Sequence, residues 1–261
     1  MKRVSVFFPI TVAWALWASH SATAQLAVIP SGTPGPQAKT QDELDDYGLV
    51  FESGSPNETI RLANQFLKNY PASEFKLYAI IQEMHACESL DDYEGTVAAG
   101  RAGLKISPRN IDVLTTLANA LADHLPGSSQ LRETLLTEAE TDAREAQTEI
   151  EKLARPFSVT RSQFAKEKRE ALAAVASVFG LIALQHSDFA TAISQYETSV
   201  SLSPEPSGSD FYRLGIAYIK IGQYQKGVEG LERAVNLGPP LITTLARQQI
   251  ADLRKAHRLP D

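Results

Sequence analysis

The sequence predicts an all-α protein: a solenoid of helical hairpins, about five repeats with the third irregular and carrying an insertion, closed by a C-terminal capping helix. Three observations carry that expectation. Residues 208–241, GSDFYRLGIAYIKIGQYQKGVEGLERAVNLGPPL, set small residues (Gly215, Gly227, Ala234) among large ones (Phe211, Leu214, Tyr218, Leu231) and end near Pro239. Small residues let two antiparallel helices approach, large ones fill the space between them, and proline stops the second helix. The same kind of spacing returns at 77–110 and 173–206. From Thr40 onward no Pro/Gly-rich linker divides the chain, and a length that is large for one compact core is ordinary for stacked repeats.

The first 24 residues precede the fold. Lys2 and Arg3 lead an apolar run from Val4 to Trp17, followed by Ala22-Thr23-Ala24, the pattern of a secretory signal peptide cut after Ala24. The run is too short to span a bilayer comfortably, so no transmembrane segment is expected after cleavage. Lys2 and Arg3 leave with the signal, so 23 basic residues face 31 acidic ones for a mature net charge of −8. Such a surface repels nucleic acid and anionic lipid on average. Trp14 and Trp17 leave too, and no tryptophan remains. Residues 25–39, QLAVIPSGTPGPQAK, are a flexible Pro/Gly-rich leader, and the solenoid domain is placed at 40–258.

Repeat one, about 40–73, has SGSPNETIRLANQFLKNYP at its second helix: Ser55 caps, Pro56 suits the first helical position, and Glu58 completes a capping box. Repeat two, 77–110, carries Ile80 and Met84 on its first helix, then Val97, Gly100, Gly103 and Leu104 before Pro108. In repeat three Asn110 caps IDVLTTLANALADHL, with Leu114, Leu117, Ala118 and Leu121 on the packing face. Its second helix, roughly 130–153, is long, and Ala139, Ala143 and Ala146 fall about nine residues late for the period, as an inserted loop would explain. A second long helix starts near Ser162 and flows into ALAAVASVFGLIALQ, the first helix of repeat four (about 173–206), where Gly180 and Tyr196 take packing positions. Gly180 and Gly215 stand 35 residues apart, and the loop SPEPSGSD absorbs the extra residue. LITTLARQQIADLRKAHR, 241–258, shows one apolar stripe and a polar remainder, as a terminal cap should.

Counted from Gly208, Phe211, Leu214, Gly215, Tyr218, Gly227, Leu231, Ala234 and Pro239 fall at positions 4, 7, 8, 11, 20, 24, 27 and 32 of a motif of about 34 residues. The chain thus resembles the tetratricopeptide repeat family, as an exported bacterial member, over most of 40–241. The fold implied is a tetratricopeptide-type helical hairpin solenoid. The resemblance also implies that the first helix of each pair faces a concave groove, with positions 2, 5, 9, 12 and 13 meeting ligands. By register those are Tyr78, Ile81, His85 and Glu88 in repeat two; Thr115, Asn119 and Asp123 in repeat three; Leu181 and Gln185 in repeat four; and Tyr212, Ile216 and Lys220 in repeat five. VASVFGLIALQ and FYRLGIAYIKIG are apolar nearly all round, so something must cover them: the insertion between Ala154 and Lys168, another chain, or a second copy. Of the residues with which family members clamp a C-terminal carboxylate only Asn119 fits, at position 9, while position 5 reads Ile81, Thr115, Ser177 and Tyr212, so that mode is not expected.

Chemistry is sparse. Cys87 alone excludes an internal disulfide and reads as an apolar filler. His85, His124, His186 and His257 show no metal-ligand spacing; His85 and Glu88 beside Cys87 make half a site with no second ligand pair. Asp45-Asp46 and Asp91-Asp92 read as helix-boundary acids, and Asn57-Glu58-Thr59 as a cap that also fits a glycosylation acceptor. Glycine-rich phosphate loops and nucleophile elbows are absent. The expectation is a non-catalytic exported scaffold, periplasmic or secreted, that needs no cofactor or metal and binds a protein or peptide client rather than nucleic acid. QFLKNYPAS, 65–73, resembles repeats of bacterial envelope proteins, which points to envelope assembly. Self-association through the apolar back half, or an enzyme with its site on the 125–161 insertion, are the alternatives.

Overall fold

A computed structural model of the chain describes residues 36–257; the signal peptide, most of the leader and Arg258 lie outside the described residues. Eleven helices and no strand are found among the described residues: α1 Gln41–Phe51, α2 Pro56–Asn69, α3 Lys76–Ser89, α4 Tyr93–Ile106, α5 Ile111–Asp123, α6 Ser129–Lys152, α7 Arg161–Gln185, α8 Phe189–Leu202, α9 Gly208–Lys220, α10 Tyr224–Leu237 and α11 Pro240–His257. Each odd-numbered helix from α1 to α9 packs on the next as a hairpin, and each hairpin stacks on its successor. The terminal α11 lies on α10 and buries Ile242, Ala246, Ile250 and Leu253.

Local chemistry sets the starts. Thr40, Ser55, Asp92, Asn110, Thr160 and Asp188 each cap a helix by accepting from the N–H three residues on. At Ser55 the expected reciprocal box is replaced, because the Glu58 carboxylate pairs with Arg61 at 2.6 Å. Three hairpin turns use one left-handed residue just before the capping position: Asp91 (φ 59°), Ser187 (φ 60°) and Gly222 (φ 80°). Only the glycine adopts that conformation without steric cost. Asp92 caps α4 as expected, whereas Asp45 and Asp46 lie in the middle of α1 rather than at a boundary, Asp46 accepting from the Tyr70 hydroxyl at 2.9 Å. At the N-terminal edge Lys39 bonds Glu43 and the Ala72 carbonyl, while Ala38 packs on the cluster of Val50, Phe66 and Phe75.

The third hairpin departs from the rest, but not through an inserted loop. Only residues 124–128 separate α5 from α6. The extra residues are helix: α6 has 24 residues and α7 has 25, against 13 or 14 in α5, α8, α9 and α10. Ala139, Ala143, Ala146 and Ile150 form one buried stripe along α6, so the late small residues serve the added turns. The two long helices leave the core together. Leu153 and Ala171 still pack with Ile111, Leu114 and Val175, yet no residue from 154 to 170 is buried.

That arrangement removes the insertion as the cover for the apolar back half. The segment 154–168 does not fold over it. Instead α5, α6 and α8 surround α7, with Leu181 and Ile182 packed among Leu117, Leu121, Leu136 and Ala139. Helix α9 is enclosed by α8, α10 and α11 through Phe211, Leu214, Tyr218, Leu231 and Ile242. Neighbouring hairpins of the same chain cover that much of the back half, while Tyr212 and Ile216 on α9 stay half-buried.

Candidate functional site

Helices α3, α5, α7 and α9, the first of each pair, carry the twelve register positions, and the structure divides them into three kinds. Ile81, Thr115, Asn119 and Leu181 are buried. Leu181 belongs to the core, and the Thr115 hydroxyl donates back to the Ile111 carbonyl at 2.8 Å within its own helix. Tyr78, Tyr212 and Ile216 are half-buried, and Lys220 is exposed. His85, Glu88, Asp123 and Gln185 are half-buried and held by polar partners.

Those partners tie one hairpin to the next. His85 Nε2 lies 3.0 Å from Asp112 Oδ2 on α5, and its Nδ1 lies 3.4 Å from Glu88 Oε2. What reads as half a metal site is completed by an aspartate into an ionic bridge between α3 and α5. Among the described residues no group of three or more His, Cys, Asp or Glu is placed to hold a metal. Farther along, Gln185 donates to the Ala122 carbonyl at 3.0 Å and accepts from Arg132 at 2.8 Å, joining α7 to α5 and α6. Arg213 Nη2 donates to Asp123 Oδ1 at 2.9 Å, linking α9 to α5 past α7, which packs on both.

Burial works against a charge on His85, but the hydrogen bonds its ring donates to Asp112 and Glu88, with their negative charges, outweigh it and raise the ring to about 10. The folded value lies above the unfolded one of about 6.5, so this stabilisation is complete below about pH 6.5 and is lost as pH rises toward 10. The side chain is 31% exposed, and solvent screens part of the attraction. Between pH 6 and pH 10 the wild type should therefore lose about 2 kcal/mol more of urea-measured stability than His85→Gln does. Equal losses in the two proteins would show that the bridge carries no stabilising charge.

Between these bridges stands Asn119, 9% exposed, whose side-chain amide has no hydrogen-bond partner among the described residues. Its polar atoms stay within reach of water and so remain open to an incoming group. It offers a donor and an acceptor side by side, the pattern that matches one peptide unit.

Sequence register missed the polar group behind the groove. Asp210, 6% exposed, accepts from Ser177 Oγ and Ser199 Oγ, both at 2.6 Å, and so pins α9 to α7 and α8. Burial pushes its carboxyl upward from the usual range, opposed by the two serine bonds and by Arg213. The Arg213 side chain is 13% exposed; burial disfavours its charge, but Asp123, Tyr196 and Asp210 more than restore it. The Tyr196 ring lies against Gly180, and its buried hydroxyl has no partner among the described residues. The available signal was the pair of charges Asp210 and Arg213 inside an otherwise apolar stretch.

Several solved structures share the architecture. A tetratricopeptide repeat protein of Thermus thermophilus matches with a TM-score of 0.56 over 82% of this chain and 97% of its own, at 13% identity. MamA from Desulfovibrio magneticus RS-1, residues 41 to its end, matches with 0.53 over 77% and 97% at 15% identity. A double mutant of RS-1 MamA matches with 0.51 over 81% and 98% at 15% identity. At these identities the likeness is one of fold: the chain is an all-α, tetratricopeptide-type helical solenoid. No protein-family model and no curated protein matches it.

Proposed function

We propose that this chain is a non-catalytic exported scaffold, periplasmic or secreted, that holds a protein or peptide segment along α3, α5 and α9, with cell-envelope assembly as its setting. The observation that carries the reading is the Asn119 amide, without a hydrogen-bond partner among the described residues, at a position that the repeat register assigns to ligand contact. His85 and Asp123 flank it in the register, already fixed by Asp112 and Arg213, so an entering backbone would meet side chains held in place. Prior ordering of that kind lowers the entropy lost on binding. Tyr78, Tyr212 and Ile216 supply half-exposed apolar area for a client's side chains.

The alternatives draw less support. Self-association drew on an apolar back-half groove, and the α7 part of that face, Leu181 and Ile182, is covered by the chain's own helices. An enzyme on 125–161 would have to work without histidine or cysteine, on one helix and the turns that flank it.

Asn119→Ala removes the amide without adding bulk. Client captured from envelope extract by the immobilised chain should fall about tenfold relative to wild type, as expected when one nearly buried hydrogen-bonding partner is lost. Equal capture of the same proteins by both would remove the groove as the binding site.

A further inference from the structure

The long helices α6 and α7, which join the third hairpin to the fourth, end in a tip that the core does not use. Phe157 is 96% exposed there, the most exposed large apolar side chain among the described residues. The turn beneath it is built rather than loose: Arg155 Nη1 donates to the Pro156 and Val159 carbonyls, and Thr160 caps α7. Phe157 is therefore displayed at a fixed apex. Core packing on α7 begins at Ala171, so the ten residues from Arg161 project by roughly 15 Å at the helical rise of 1.5 Å per residue.

Charge concentrates at the same place. Residues 152–169 hold six basic side chains (Lys152, Arg155, Arg161, Lys166, Lys168, Arg169) and one acid, Glu167, for a local net charge of +5. The chain totals −6, so everything else sums to −11. Lys152 and Lys166 are shared with Glu149 and Glu170, but Arg161 and Arg169 are exposed with no ion-pair partner among the described residues. The average charge says that the protein avoids anionic surfaces, whereas its distribution says that one end seeks them.

We propose that this tip docks on an anionic lipid surface, with Phe157 entering the headgroup region and the surrounding arginines and lysines meeting phosphates. The shape favours a bilayer over a folded partner: a convex apex bearing a lone ring would need a matching cavity on a protein, whereas a lipid interface admits it without one. Each basic side chain near such a surface adds electrostatic attraction, and a part-buried phenylalanine adds apolar burial. The acidic remainder is repelled, which would stand the solenoid off the membrane on its tip.

The test places an environment-sensitive nitrobenzoxadiazole probe at the tip of the full chain. Ser158→Cys is labelled, since the native Cys87 is buried. With vesicles of about one-third phosphatidylglycerol in phosphatidylcholine, emission should rise at least twofold and shift to the blue, and salt of about 0.5 M should reverse the change. Adding Phe157→Ser, or Arg161→Glu with Arg169→Glu, should abolish the response while circular dichroism stays unchanged; these positions make no core contact. The probe reads only the tip, so attachment through the N-terminal residues does not mimic the result. No response to anionic vesicles, an equal response to pure phosphatidylcholine, or a response that survives the charge reversals would each overturn the proposal.

Discussion

Replacing Asp210 with alanine should destabilise the chain by about 3 kcal/mol, within the range for removing one member of a buried charged network. The change strands three groups at once. Ser177 and Ser199 lose the acceptor that each meets at 2.6 Å, and both hydroxyls lie where water cannot replace it. Arg213 loses one of the negative charges that hold it in its buried position and keeps only Asp123 as an ion partner. Asp210→Asn should cost less, about 1 kcal/mol, because the amide keeps the shape and a serine hydroxyl can reverse its role and accept. Acidity discriminates further. Burial raises the carboxyl's folded pKa above its unfolded value, so its share of stability is largest at low pH and shrinks as pH rises through the folded value. The deficit of the alanine variant should thus widen between pH 7 and pH 5, measured by urea unfolding at each. A deficit under about 1 kcal/mol would show that the three helices are held by apolar packing alone, and one that narrows in acid would show that the ionised carboxylate, paired with Arg213, outweighs its burial.

The hairpins were legible because their signals are local and periodic: Asn110 before an apolar helix, Pro56 at a first helical position, small residues at 215, 227 and 234. The expected second helix of repeat three, 130–153, differs by one residue at each end from the observed Ser129–Lys152. What failed there was the reason for the offset. Counting residues against a period registers an insertion but does not distinguish a loop from extra helical turns; the i, i+4, i+7 recurrence of Ala139, Ala143 and Ala146 was the sign of helix. The apolar face of α7 misled for a related reason. Helical periodicity says that a face is buried, not by what, and the third hairpin's added length supplied a neighbour that a regular repeat lacks. Groove register names positions and is silent about pairings. Joining His85 to Asp112 needs α3 beside α5, and joining Arg213 to Asp123 needs a contact across 90 residues of sequence.

Gly215→Ala and Gly48→Ala should act in opposite directions, although each exchanges a helical glycine for the best helix former. Alanine in a helix interior gains about 0.5–1 kcal/mol over glycine, and that gain is common to both sites. At Gly48, in α1, a new Cβ meets nothing within 4 Å, so the gain stands and the variant should be slightly more stable than wild type. At Gly215 the Cβ would lie 2.9 Å from the Gly227 carbonyl oxygen, 3.0 Å from Leu231 Cγ and 3.1 Å from the Leu231 amide nitrogen. Two of these atoms are backbone and cannot swing aside. Gly230 on α10 returns the approach, since a Cβ there would stand 3.0 Å from the Gly215 Cα. Helices α9 and α10 therefore touch backbone to backbone, and a methyl group at 215 must push them apart, loosening Leu214, Leu231 and Ala234 in the core they share. Overpacking of this kind costs about 1–3 kcal/mol, so the net effect at Gly215 should be a loss of about 2 kcal/mol once the helical gain is subtracted from the upper part of that range. Calorimetry of the two variants beside wild type reads the sign directly. A Gly215→Ala protein that melts at or above the wild-type temperature would mean that α9 and α10 have room to separate, and that the small residue there reflects something other than close helix contact.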